Sequence, residues 1–176
     1  MLKRIKLNLD AVEAMLYYWQ AASEKDNIPE QFFYDVAEMD GLKITYDEEF
    51  NEESVRRALS AIKNREPFQG NKKEKKFWNN NMWMMEDLEY TKLMANPIKK
   101  LNLDSLVDKI KGENDKYEEV EVIFAPLHTE EYVIVDNKLI INFFRIKQSD
   151  VDERTFIGDK ELIPYIEEKI KEVLSN

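Results

Sequence analysis

The chain has 176 residues, 43% of them hydrophobic, which is the size and composition of one ordinary domain that buries a core without disulfide or metal staples. It contains no cysteine, so disulfides, zinc ribbons, iron–sulfur clusters and thiol nucleophiles are excluded, no cofactor is implied, and a reducing compartment, the cytoplasm, is the expected location. The net charge is -10, and charges interrupt every apolar run well short of a membrane span or a signal peptide, so no membrane role is expected.

The charge alternates along the chain. Lys and Arg exceed Asp and Glu by three over residues 1 to 9, fall short by 11 over 10 to 53, exceed them by six over 54 to 112, and fall short by eight over 113 to 176. Such a basic middle either docks on acidic flanks within one compact unit or faces an anionic partner.

The first helix is expected to begin near Asp10, with Asp10 and Glu13 as a capping pair and Val12, Met15, Leu16 and Trp19 at helical spacing. A second start is read at Asn27, with Phe32, Phe33, Val36 and Met39 inward and Gly41 closing the helix. Leu42, Ile44 and Tyr46 alternate with Lys43 and Thr45, the rhythm of a short strand. Asn51 opens a third helix, with Phe50 stapled against Val55 and with Ala58, Leu59 and Ile62 inward. Asn71 and Glu74 then start a long helix running to about Lys92, which must end before Pro97. A shorter one follows through Leu103, Leu106, Val107 and Ile110.

Past residue 113 the apolar period changes from 3.6 to 2. Val120, Val122 and Phe124 alternate with Glu119 and Glu121, and the runs Tyr132 to Val135 and Leu139 to Ile146 are joined through Asp136 and Asn137, as in a hairpin. Residues 154 to 157 suit an edge strand, and Ile163, Ile166, Ile170, Val173 and Leu174 mark a C-terminal helix with Pro164 in its first turn. The predicted class is α+β in one domain, 1–176. A helical part, 1–112, with about five helices and one short strand, packs on a small antiparallel meander with a closing helix, 113–176.

Four isolated glycines cannot build a phosphate-cradling loop, so P-loop and dinucleotide-fingerprint binding are excluded. His128, the only histidine, is the one catalytic candidate, with Glu130 or Glu131 to orient it and Ser105 or Ser149 as nucleophile, in a hydrolase or metal-dependent enzyme using nearby acids. Nothing in the spacing demands that chemistry, and the acidic runs 47–53 and 113–121 lack the pattern of a calcium loop, so no metal site is assigned.

The most distinctive segment, 72–85, sets Lys72, Lys73, Lys75 and Lys76 beside Trp78, Trp83 and Met84. Arg56 and Arg57 lie upstream. Cations among aromatic rings suit phosphates and bases, but an acidic chain repels a polyanion, so nucleic acid is the minor expectation for the basic segment 56–76. Trp and Met are also enriched where proteins meet. If Trp83 and Met84 lie off the buried stripe, they form an exposed apolar patch for a protein partner or a second copy. In composition alone the chain is similar to small acidic bacterial immunity proteins and antitoxins, a likeness that no motif carries. A non-enzymatic interaction protein is the leading expectation.

Overall fold

The computed structural model describes residues 1–175, and the structural statements below concern those residues. The order is β1 (Arg4–Asn8), α1 (Asp10–Ser23), α2 (Glu30–Ala37), α3 (Asp40–Lys43), α4 (Glu52–Lys63), α5 (Lys72–Glu86), α6 (Leu88–Lys99), α7 (Leu106–Ile110), β2 (Glu119–Ala125), β3 (Tyr132–Val135), β4 (Lys138–Asn142), β5 (Ile146–Gln148), β6 (Thr155–Ile157), β7 (Lys160–Glu161) and α8 (Leu162–Ser175). A single 3₁₀ turn, Phe143–Arg145, links β4 to β5. The α+β class holds, and no helix is long and apolar enough to cross a membrane.

The larger sheet has the order β1-β2-β4-β3, and β5, β6 and β7 form a small antiparallel sheet. Antiparallel pairing occurs in the β3–β4 hairpin, where Asp136 takes a φ of 54° in the expected turn. Elsewhere in the larger sheet the neighbours run parallel: Ile5 pairs with Val120 across β1 and β2, and Val122 with Leu139 across β2 and β4. Being central, β2 is buried on both faces, which explains its nearly continuous apolar run. Val120, Val122 and Phe124 face the main core, which includes residues from Leu2 to Leu174, while Ile123 and Ala125 join Ile140, Ala11 and Leu127 in a second cluster.

The one strand of the N-terminal part is Arg4–Asn8. The Leu42 to Tyr46 strand does not form: Leu42 belongs to α3 and the chain then turns, with the Thr45 hydroxyl donating to the Leu42 carbonyl (2.7 Å) and the Tyr46 hydroxyl to the Ala37 carbonyl (2.6 Å). These local bonds hold the segment off any strand neighbour. Gly41 does not end a helix either. It sits inside α3 because a Cβ there would stand 2.8 Å from the Ala125 Cβ and 2.9 Å from the Ile123 Cγ2, so its missing side chain lets α3 lie directly on β2.

At α1 the expected start is right and the expected cap is not. Asn8 accepts from the Asp10 amide at 3.0 Å, and no side chain caps from Leu9. Helix α2 begins at Glu30, behind Pro29 rather than at Asn27. Both asparagine caps further on are present: Asn51 forms a reciprocal box with Ser54, and Asn71 one with Glu74. The predicted long helix is two. It breaks at Asp87, whose Oδ1 accepts from the Tyr90 amide (3.1 Å), while the Thr91 hydroxyl lies 2.9 Å from the Met84 carbonyl at the end of α5 and also 2.9 Å from that of Asp87, which the Thr91 amide already meets. Pro97 stands inside α6, near its end, where its missing amide costs a single hydrogen bond.

Candidate interaction surface

Helix α5 has three kinds of surface, and its sequence sorts them at about 100° per residue. Phe77, Asn81 and Met85 fall together and are buried. Asn81 is fully enclosed yet satisfied: its Oδ1 accepts from the Trp19 indole (3.0 Å) and its Nδ2 donates to the Phe77 carbonyl (2.9 Å), fixing α5 on α1. Lys72, Lys76, Asn79 and Trp83 fall on the opposite side and are exposed, Trp83 by 63%. Met84 lies a further 100° round and packs half-buried on the core, so the pairing of Trp83 with Met84 expected from sequence is divided between surface and interior.

Between the buried and outward faces Trp78 stacks on Phe68, from the loop before α5, with centroids 6.1 Å apart and planes within 7°. The Arg57 guanidinium lies 5.3 Å from the Phe68 centroid. These two rings, with Lys72, Lys75, Lys76 and Asn79, line an open trough of about 590 Å³. Phe68 was not among the residues singled out from sequence; a lone aromatic in the polar stretch Pro67 to Gly70 was the available signal.

The cations predicted to act together do not. Arg57 pairs with Glu74 at 3.0 Å, and Arg56 lies 4.6 Å over the Tyr34 ring with Glu52 at 3.9 Å. Lys73 pairs with Asp47 at 2.6 Å and Glu49 at 3.5 Å. Glu74 also accepts from the Ser54 hydroxyl at 2.6 Å, so it ties α5 to α4. Burial pushes the Glu74 carboxyl up, but the bonds from Ser54 and the Asn71 amide and the Arg57 charge outweigh it, and the net shift is downward. Lys72, Lys75 and Lys76 are exposed and make no ion pair among the described residues.

His128 lies beside α5, its carbonyl accepting from the Asn80 side chain (3.3 Å), at a separate cavity of about 200 Å³ that Thr45, Asp47, Lys73, Leu127 and Glu130 also line. It is 6% exposed, and its ring sits 4.6 Å from that of Phe50. Nδ1 accepts from the Thr129 amide (2.8 Å) and lies 2.9 Å from the Thr129 hydroxyl, so the neutral ring carries its proton on Nε2. Burial and the nearby Lys73 ammonium lower its pKa, against the carboxylates of Asp47, Glu130 and Glu49. The ring is thus held by Thr129 rather than by Glu130 or Glu131, and neither Ser105 nor Ser149 lines the cavity.

The loop that carries His128 is fixed by Asn142, fully buried at the end of β4. Its Oδ1 accepts from the Leu127 amide (3.3 Å) and the Phe144 amide (3.0 Å), and its Nδ2 donates to the Glu130 carbonyl (2.9 Å). The acidic runs serve similar ends. Asp47 closes a turn by accepting from the Glu49 and Phe50 amides, Asp115 accepts from those of Leu2 and Gly112, and Glu121 meets Lys138 at 2.7 Å. No family model, curated protein or solved structure matches this chain.

Proposed function

We propose that the chain is a non-enzymatic binding protein that engages a protein partner through the outward face of α5. The observation that carries this reading is Trp83, 63% exposed at the end of a row of unpaired lysines on a helix whose other faces are occupied. Tryptophan and aromatic anchors dominate the energy of protein interfaces, and leaving an indole in water costs apolar area that a partner recovers. Tyr90 and Leu93, also exposed on the succeeding helix, add large apolar side chains to the same α5–α6 region. The lack of cysteine supports the cytosol as the place of work.

Trp83→Ala tests this directly. The variant should melt within about 0.5 kcal/mol of the parent, as an exposed substitution does. It should lose the stoichiometric partner that the parent retains when isolated from its native host. Retention of that partner by Trp83→Ala, or its absence from the parent, removes the reading.

A further inference from the structure

We propose that the partner segment seated on α5 is an acidic stretch of polypeptide with an aromatic or aliphatic anchor between its carboxylates, a step that rests on the binding role proposed above. Three observations converge. Lys72, Lys75 and Lys76 on α5 have no ion pair among the described residues, whereas Arg56, Arg57 and Lys73 beside them are neutralised inside the fold. Lysines in the first turns of a helix also oppose its dipole, which favours anions there, so their placement is locally unfavourable. Finally, the floor between them is apolar, made by the Phe68 and Trp78 rings.

The dimensions and the neighbouring charge select a short peptide over a nucleic acid. From Lys72 to Asn79 the helix rises about 10 Å, the reach of about three residues of extended chain. Carboxylates at the ends of such a stretch meet the lysines, and the side chain between them meets the rings. A longer polyanion running past Phe68 enters the adjoining depression, where Glu30, Glu53 and Glu66 stand among the lining residues and the two cations there, Arg56 and Arg57, are already paired with Glu52 and Glu74. A chain of net charge -10 repels that polymer further, while a short segment confines its charge to the three lysines.

The three tryptophans make a built-in assay. In protein labelled with ¹⁵N at tryptophan, the Trp19 indole, held by Asn81 in the core, serves as the internal reference, and those of Trp78 and Trp83 report on the trough and the outward face. A short glutamate–tyrosine copolymer, only a few residues long, is titrated at low salt beside polyglutamate and oligouridylate of matched length. The Trp78 signal should move with the copolymer while Trp19 stays, polyglutamate should bind more weakly, and Lys72→Glu with Lys76→Glu should weaken the copolymer about tenfold or more with Trp19 unmoved. Tighter binding of oligouridylate, equal binding of polyglutamate, movement of Trp19 alone, or indifference to the charge reversal would each overturn the proposal. If these fail while Trp83→Ala still abolishes partner capture, the binding role stands and only the acidic character of the partner falls.

Discussion

Trp19 and Trp78 carry the same indole into opposite circumstances. That of Trp19 donates to Asn81 at 3.0 Å inside the core, whereas the Trp78 Nε1 is buried with no acceptor. Trp19→Phe therefore strands the Asn81 oxygen and should cost about 1–3 kcal/mol, with the lost ring volume in addition. Trp78→Phe removes an unsatisfied donor along with some ring area, so the two changes offset and stability should stay within about 1 kcal/mol of the parent. Urea unfolding of the two variants side by side checks the difference in sign and size. Composition revealed both residues, but nothing in their spacing said which would find an acceptor, because Asn81 lies 62 positions from Trp19.

His128 makes a second residue-scale prediction. Its folded pKa is depressed below the ordinary value of about 6.5, so in the window beneath that pH the unfolded chain binds more protons than the folded one. Stability should rise with pH through this window and be lost as pH falls through it. The charged groups near the ring are Lys73, Asp47, Glu49 and Glu130, with the Phe50 ring tilted against it. His128→Asn keeps an acceptor for the Thr129 amide but cannot titrate. Melting temperatures of this variant should show a flatter slope between pH 6.5 and about 5, where unperturbed carboxyls are still ionised. An unchanged slope would place the titration elsewhere.

At the scale of elements, signals contained within one turn were readable and those set by contact across the chain were not. Asn71 announced α5 because its partner Glu74 lies three residues on, and Asn51 announced α4 through the Phe50 and Val55 that flank it, with Ser54 as the partner it finds. Either asparagine replaced by alanine should lower stability by about 1 kcal/mol in denaturant titration. Gly41, by contrast, looked like a helix stop in sequence and is a contact point with β2, a relation visible only once Ile123 and Ala125 are brought beneath it. Gly41→Ala should gain helix propensity yet lose more to the clash, for a net destabilisation of about 1–3 kcal/mol. Gly112→Ala is the control: its nearest neighbour is an Asp115 oxygen at 3.5 Å, and its urea midpoint should barely move.

The break at Asp87 is the exception, a cap whose partner Tyr90 lies within one turn and which the surrounding rhythm hid. The apolar residues of α5 and α6 continue a helical rhythm, so nothing in their period separates Met85 from Leu88, and the division rests on Asp87 and Thr91 taking up the freed backbone groups. Of this surface the sequence supplied the helix and a condition on Trp83, which is exposed, while the pairing of Lys73 depended on acids at positions 47 and 49, more than one element away.

For the whole molecule, the change of apolar rhythm near residue 113 marked the change from helices to strands, and the β3–β4 hairpin and the closing helix followed from it, though β2 joins β4 parallel rather than in an antiparallel meander. Strand direction was beyond reach, because a parallel neighbour leaves no turn in the sequence to betray it. Ile5 and Leu7 alternate with Lys6 and Asn8, but so short a stretch has no register until Val120 and Val122 supply one.

That parallel pairing orders events as the chain is made. A ribosome releases Arg4–Asn8 long before its neighbour Glu119–Ala125, and at usual synthesis rates the wait is on the order of ten seconds. Through that interval the nascent strand stands with unmet backbone groups, and Lys3, Arg4 and Lys6 are what discourage it from joining another such strand. Once β2 arrives, the Arg4 charge is met by Glu119 at 2.8 Å, so a guard of the growing chain becomes a clasp of the finished one.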